Sequence, residues 1–319
     1  MTGKQTVLYI IRKVAELLAT LLLVSLLTFL AFSVIPGDTA RVMLGANATQ
    51  EQVEVLREEL GLNRPLPVRY LSWLGGTFTG NLGNSTQYRT DVAKLIANRL
   101  PVTLGMSILA FVMIIAISYP LAILSSRKPG KFADQVCSVL GHILFAIPPF
   151  VLSLLLILIF GSILKNFTIG NYVAPNVDFG IYLQSLLLPA FAIALPKIAM
   201  TFKFLRSSII EQKASDHVAT AKSHGLSDLK IMFKHILPNS NVSSITVISL
   251  VLSDILGGSL IVEQVFNLPG LGRLLLSAIS QRDFPLLSGI VFYLALVTVL
   301  LYFAADIFSS LSDPRIRIR

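Results

Sequence analysis

The sequence predicts an all-α integral membrane protein, with six transmembrane helices and a small extracytoplasmic domain between the first and second. Three observations carry that prediction. Charged residues make up 13% of the 319-residue chain and hydrophobic residues 54%, whereas soluble domains carry about 25% charge. Apolar runs long enough to cross a hydrocarbon core of roughly 30 Å recur along the chain. The basic residues behind the net charge of +9 fall between those runs rather than along one stripe, which follows the positive-inside rule and argues against nucleic acid as a partner.

Taken in order, residues 1–35 form the N-terminal cytoplasmic end and the first span, in which Val14 to Ile35 holds Glu16 as its only charge. This run exceeds the apolar core of a signal peptide, and Ile35-Pro36-Gly37-Asp38 offers no small-residue cleavage site, so the span stays attached. Residues 36–101 are polar, with helix-like pieces at Gln50 to Leu60 and Asp91 to Leu100 between Gly-, Asn- and Thr-rich turns. They read as a folded extracytoplasmic domain rather than a linker, since long structureless loops are uncommon. The transmembrane domain, 95–306, is expected to hold helices over 102–124, 136–164, 181–205, 242–262 and 286–308, with a cytoplasmic loop at 206–241 and a cytoplasmic tail at 309–319. Lys4, Arg12 and Lys13, then Arg127, Lys128 and Lys131, then the seven basic residues from Lys197 to Lys234 and the three at the C-terminus all fall on one side. Charges in long loops count little toward orientation, so both termini are placed in the cytoplasm.

Pro148-Pro149 in the third span and Pro189 and Pro196 in the fourth free backbone carbonyls, so kinks are expected there. Such breaks survive where other helices or a wet cavity satisfy the freed groups, although proline is also simply common in membrane helices. No repeat relates the two halves of the chain, which argues against an inverted-repeat secondary transporter.

The segment Ser215 to Asn239, SDHVATAKSHGLSDLKIMFKHILPN, reads as two short helices joined at an elbow. Ser215 is placed to cap the first and Gly225 to end it in the left-handed conformation. Ser227 and Asp228 start the second, which Pro238 is expected to stop. Val218, Ala221, Leu226, Leu229, Met232, Phe233 and Ile236 give the elbow an apolar face, for which a protein partner is the economical cover.

Here the chain resembles the inner-membrane permeases of type I ABC importers. Their signature is Glu-Ala-Ala, three residues, Gly, nine residues, Ile, one residue, Leu-Pro. Ala219-Thr220-Ala221, Gly225, His235 and Leu237-Pro238 stand at the matching positions, with Ala219 in place of Glu, Thr220 in place of Ala and His235 in place of Ile. The resemblance narrows to the dipeptide, oligopeptide and nickel permeases of binding-protein-dependent transport systems. Its marks are Ile35-Pro36-Gly37-Asp38, Leu60-Gly61-Leu62-Asn63-Arg64-Pro65-Leu66, Tyr70 with Trp73-Leu74, and Asn81-Leu82-Gly83-Asn84-Ser85. Glu263, Phe266, Pro269-Gly270-Leu271-Gly272-Arg273, Arg282-Asp283 and Asp313-Pro314-Arg315 complete the set.

The resemblance implies the type I importer fold, a second homologous permease subunit, two ATPase subunits holding ATP and Mg, and an extracytoplasmic solute-binding protein. It implies an ATPase-coupling role for Asp216, Ala219, Thr220, Ala221, Gly225, Leu226, His235, Leu237 and Pro238. Glu263, Pro269, Gly270, Gly272 and Arg273 become candidates for an extracytoplasmic gate or docking site. The implied cargo is a di- or oligopeptide, with nickel or a metal chelate as the alternative within the family. A secondary transporter or channel and an intramembrane enzyme are the competing classes.

Other residues narrow the chemistry. No GxxxxGK[ST] loop exists, so the chain does not itself cradle ATP in the usual way and no cofactor is assigned to it. His142, His217, His224 and His235 lack metal-ligand convergence, and no nucleophile elbow is present, so no catalytic or metal residue is named. Cys137 is read as a packing residue. Asn47, Asn84, Asn166 and Asn241 begin N-x-S/T patterns, discounted in a bacterial family. Gly257-Gly258 and Gly270/Gly272 are read as sites of close backbone approach and a tight turn. Lys197 and Asp254 are charges inside spans, where charge is expensive, so both should face the bundle interior, either paired with each other or lining the pathway.

Overall fold

In the computed structural model, residues 3–34, 39–45, 48–59, 61–164, 167 and 170–312 are described. The Ile35-Pro36-Gly37-Asp38 motif, Asn47, Leu60, Asn166 and the Asp313-Pro314-Arg315 tail lie outside them. The described residues form helices, with an isolated antiparallel bridge between Asn84 and Asp91. The first helices are α1 Gly3–Val34, α2 Thr39–Leu44, α3 Gln50–Glu59, α4 Leu66–Phe78 and α5 Val92–Arg127. There follow α6 Phe132–Ala146, α7 Pro149–Leu156 with a π-helical continuation at Ile157–Ile163, and α8 Phe179–Lys213. The chain continues with α9 Asp216–Ser223, α10 Asp228–Ile231, a π-helical turn at Met232–Ile236, and α11 Leu237–Val265, then α12 Leu271–Ser280 and α13 Phe284–Ser312.

Among the described residues, five helices are long and apolar enough to cross a membrane, and the bent pair α6 and α7 makes six if it counts as one span. Several boundaries differ from those expected. The helix expected over 102–124 begins at Val92, absorbing the piece at Asp91 to Leu100, because an interior proline such as Pro101 forfeits a single ladder bond that the flanking turns outweigh. The span expected over 136–164 is broken: Ile147 leaves the helix with ψ 122°, Pro148 is extended, and the two halves meet at 104°. A residue before proline is pushed out of the α region, so consecutive prolines end one helix and start another. Pro189 and Pro196, by contrast, lie buried inside the single helix α8. The expected loop 206–241 shrinks to 214–236, since α8 runs to Lys213 and α11 starts at Leu237.

Contacts divide the chain into two units, Met1–Val102 with Pro269–Leu300, and Thr103–Leu268 with Leu301–Arg319. In the first, α1 buries one stripe, Leu21, Ser25 and Thr28, and leaves most of its other apolar residues exposed. The stripe side meets α4, which the turn-like composition around Gly75-Gly76 had concealed. Ser25 Oγ lies 2.9 Å from Tyr70 Oη, and Phe29, Tyr70 and Trp73 form a ring cluster extended by Phe292. The unit's core joins Val92 and Ile96 to Leu271, Leu274 and Ala278 of α12 and to Leu286, Leu287 and Ile290. Gly289 makes room for it: a Cβ there would stand 2.6 Å from Val92 Cγ1. The end of the 36–101 segment, from Val92 on, thus packs with residues of 269–300. The same unit joins two separate motifs. Asp283, fully buried, accepts from Ser85 Oγ, from the backbone N–H groups of Thr86 and Gln87, and from Leu286 N–H at the start of α13.

The second unit is organised on α8, whose Leu186, Ile193, Leu205 and Ile209 are inaccessible and against which α6, α7 and α11 all pack. A helix whose apolar stretch is mostly buried is what a central position demands. Cys137 is half-buried against the cluster around Phe202 and Leu205, in keeping with a packing role.

Candidate functional site

The elbow at 214–236 is built by its own local sequence. α9 ends where Gly225 adopts φ +74°, with Gly225 N–H donating to Lys222 O at 2.9 Å and Leu226 N–H to Ala221 O at 3.3 Å. That paired closure is the Schellman arrangement, and a side chain at this φ would be strained. Ser215 and Ser227 do stand at the N-cap positions, but neither side chain caps; Ser215 Oγ donates backwards to the carbonyl of Gln212. Pro238 does not stop the second helix. The backbone widens into the π-helical turn Met232–Ile236, Leu237 N–H reaches Met232 O, and Pro238 falls in the first turn of α11. A proline has no N–H to donate, so a turn that closes five residues back just before it lets the helix continue.

The apolar face of the elbow is mostly covered by its own chain, contrary to the expectation that a partner covers it. Val218, Ala221, Ile231, Met232 and Ile236 pack with Ala122 of α5 and with Phe202, Leu205 and Ile209 of α8. What remains open is smaller and sharper: Leu229 is 59% and Phe233 58% exposed, four residues apart on one face, beside exposed Lys230 and Lys234. Of the matched signature positions, Asp216, Ala219, Thr220, Gly225 and Pro238 are exposed, Leu226, His235 and Leu237 half-buried, and Ala221 buried. The elbow's ends are tied to their surroundings by polar contacts. Lys213 Nζ donates to Ser126 O at 2.6 Å, Ser208 Oγ to Ser240 O at 3.4 Å, and Tyr119 Oη to Asn241 Oδ1 at 3.0 Å.

Beneath the elbow lies a pair absent from the sequence reading. Asp134, in the first turn of α6, is 3% exposed, and Arg206 of α8 grips both its oxygens, Nε to Oδ1 at 2.5 Å and an Nη to Oδ2 at 2.6 Å. Ser125 Oγ and Gly130 N–H also donate to the carboxylate. The signal for it was an acid at the start of an apolar span, which needs a counter-charge.

Lys197 and Asp254, the charges expected inside spans, come together: Lys197 Nζ lies 2.6 Å from Asp254 Oδ2. The lysine side chain is 17% exposed and the aspartate 58%, so the pair opens away from its own chain. At Gly257 and Gly258, one turn further along α11, a Cβ would meet nothing within 4 Å apart from the neighbouring backbone of its own helix. Among the described residues, the close helix approach expected of them does not occur.

Glu263 is fully buried near the end of α11 and accepts from Thr103 Oγ1 at 2.5 Å. Pro269, Gly270, Gly272 and Arg273 belong to the start of α12, in the other unit. Gly270 is the N-cap there with an extended backbone, φ −98°, rather than the tight turn expected; Gly272 is buried and Arg273 exposed. Among the described residues, no three His, Cys, Asp or Glu side chains converge as metal ligands would.

Residues 118–318, which contain the elbow and the charged pairs, match the model of the binding-protein-dependent transport system inner membrane component. Residues 6–107 match the N-terminal domain of the same membrane components. A protein described as a probable peptide ABC transporter permease of Sinorhizobium fredii is 32% identical over 97% of this chain and 99% of its own length. An oligopeptide transport system permease protein of Bacillus subtilis is 33% identical over 97% of this chain and 98% of its own. Among solved structures, an inward-facing form of the MetNI methionine ABC transporter superposes with a TM-score of 0.55 over 69% of this chain and 96% of the matched chain, at 18% identity, which is a likeness of fold. The chain thus belongs to the inner-membrane components of binding-protein-dependent transport systems, as a multi-pass ABC permease.

Proposed function

We propose that this chain is one of two homologous permease subunits of an ATP-driven importer of di- or oligopeptides. The importer takes its power from two ATPase subunits, one of which docks on this chain's elbow, and its cargo from an extracytoplasmic solute-binding protein. The observation that carries the reading is the elbow: the signature spacing folds into a helix, a left-handed Gly225 and a second helix seated on the chain's own core, while Leu229 and Phe233 stay bare. A rigid seat with two exposed apolar side chains and a basic rim suits insertion into a groove on a partner. The basic loops support a cytoplasmic elbow and cytoplasmic termini, with 36–101 on the far side. Peptide cargo is supported by the names of the relatives, which are peptide and oligopeptide permeases.

The test is co-purification of the ATPase chains with this permease. Phe233→Asp and Gly225→Val should each lower ATPase recovery by about tenfold or more, as loss of a buried interface anchor or of the elbow's shape does, while the permease still inserts. Undiminished recovery in both variants would overturn the docking assignment. Cargo is tested separately, by mass spectrometry of the ligand carried by the solute-binding protein that delivers to this permease.

A further inference from the structure

The elbow is not fastened to one helix. Its apolar side chains rest on Phe202, Leu205 and Ile209 of α8, and Arg206 follows Leu205 in the same helix. From there Arg206 reaches to α6 and holds Asp134 by both oxygens. Ser125 at the end of α5 and Gly130 in the connecting turn complete the carboxylate's shell, and Lys213 at the end of α8 returns to Ser126. α6 packs on α8 again further along, where Gly141 faces Ala199 and Phe202. Beyond Gly141, α6 ends at Ala146, and across Ile147 and Pro148 the span turns through 104°.

From this layout we propose that the Asp134–Arg206 pair is the linkage through which displacement of the elbow reaches the bent α6–α7 span. It is a positioning pair that touches neither cargo nor nucleotide. A bidentate guanidinium–carboxylate contact fixes two helices in distance and in angle, which an apolar contact does not, because side chains packed by dispersion alone can slide. Buried pairs of this kind add little net stability over apolar residues of similar volume, so their use lies in defining one arrangement. The apolar cluster makes the elbow ride on α8, and the pair makes α6 follow α8. The segment that follows is the one whose far end carries the double proline.

The inference rests on the elbow being the ATPase contact, and its test separates the two. The full transporter, with its ATPase chains and binding protein, is reconstituted in liposomes, and peptide uptake and ATP hydrolysis are measured together. Arg206→Met strands a buried carboxylate and should reduce the amount of assembled complex. The double variant Asp134→Asn/Arg206→Met carries no unpaired charge and should assemble with its ATPase chains in normal amount. Its uptake per ATP hydrolysed should nevertheless fall, by between about twofold and thirtyfold, the range expected when an element carrying coupling is altered. Ser125→Ala, which keeps the ion pair and removes one of its hydrogen bonds, should show a smaller fall of the same kind. If the double variant recovers assembly and the uptake-to-hydrolysis ratio together, the pair is structural and the linkage is wrong. If it loses assembly and Ser125→Ala keeps the wild-type ratio, the linkage is equally wrong. Failure of the docking reading has a different signature: Phe233→Asp then retains its ATPase chains whatever the linkage variants do.

Discussion

Asp134 and Asp283 are both buried carboxylates at the start of a helix, yet they are satisfied by different means. Asp134 faces a guanidinium on another helix, with one hydroxyl and one N–H completing its shell. Asp283 accepts from three backbone N–H groups and a hydroxyl, gathering the turn at Ser85 to Gln87 and capping α13. Ionised carboxylates are stable in either setting, because N–H dipoles can replace a counter-charge. The consequences for the chain differ. A full charge pair sets one helix against another and is costly to break from one side. A cage of N–H donors shapes a loop and tolerates partial replacement.

The largest expected effect follows from that asymmetry. Arg206→Met leaves Asp134 charged and enclosed, and breaking a buried pair in this way destabilises by about 3–5 kcal/mol. Removing both charges should return most of that loss. Thermal unfolding of the purified permease in detergent measures it, and a single variant as stable as the double would show that Asp134 reaches solvent or another cation when its arginine is removed.

Asp283→Asn should cost less, about 1–2 kcal/mol, since one amide oxygen still accepts while the new NH2 group faces Ser85 Oγ and Gln87 N–H. The loss is local. Protease added to sealed cells or vesicles from the side of this loop should cut faster between Gly80 and Asp91, where Gly80 and Gly83 already adopt positive φ, while the rest of the chain keeps its resistance. Unchanged cleavage would mean that the Asn84–Asp91 bridge and the packing of Val92 hold the turn without the carboxylate.

How much of this was legible in the sequence depended on whether the signal was local. Long apolar runs announce spans because bilayer thickness sets their length, and Gly225 announced the elbow's bend because few other residues accept its backbone angle. The helices α4 and α12 were missed: Gly75-Gly76 resembles a loop by composition, and the Leu271, Leu274, Ala278 spacing of α12 is short beside the spans around it. Pro238 misled because a proline reads as a stop unless the preceding turn is known to widen, and nothing in Met232 to Ile236 signals a π-helical turn. Partners distant in the chain were the least visible. Arg206 counted as one more basic residue near a loop, and only folding places it on Asp134. The apolar face of the elbow was visible, but which of its residues the chain covers itself was not, because Ala122, Phe202 and Leu205 belong to other helices.

The smallest stability effect, and the sharpest contrast with Asp134, belongs to Lys197 and Asp254. Their contact is as short as the one beneath the elbow, 2.6 Å, but Asp254 is 58% exposed where the Asp134 side chain is 4%. Exposed pairs are worth at most about 1 kcal/mol, so neither Lys197→Met nor Asp254→Asn should shift unfolding of the isolated permease by more than that. A carboxylate within a span is nonetheless not left to lipid, since insertion at a helix centre costs a few kcal/mol. The bare stretch of α11 formed by Asp254, Gly257 and Gly258 therefore calls for cover by water or by protein. If it lines a wet pathway, Asp254→Asn changes peptide uptake with assembly intact, most strongly for cationic peptides, and adding Lys197→Met does not restore it. If the pair instead stitches α8 to α11, each single change impairs assembly and the double variant recovers, because a charge without its partner is worse than no charge. Uptake of basic, neutral and acidic peptides by the three variants, with assembly measured alongside, decides between these outcomes. Wild-type behaviour in all three would place the pair at a water-exposed end of its span, with no part in passage or assembly.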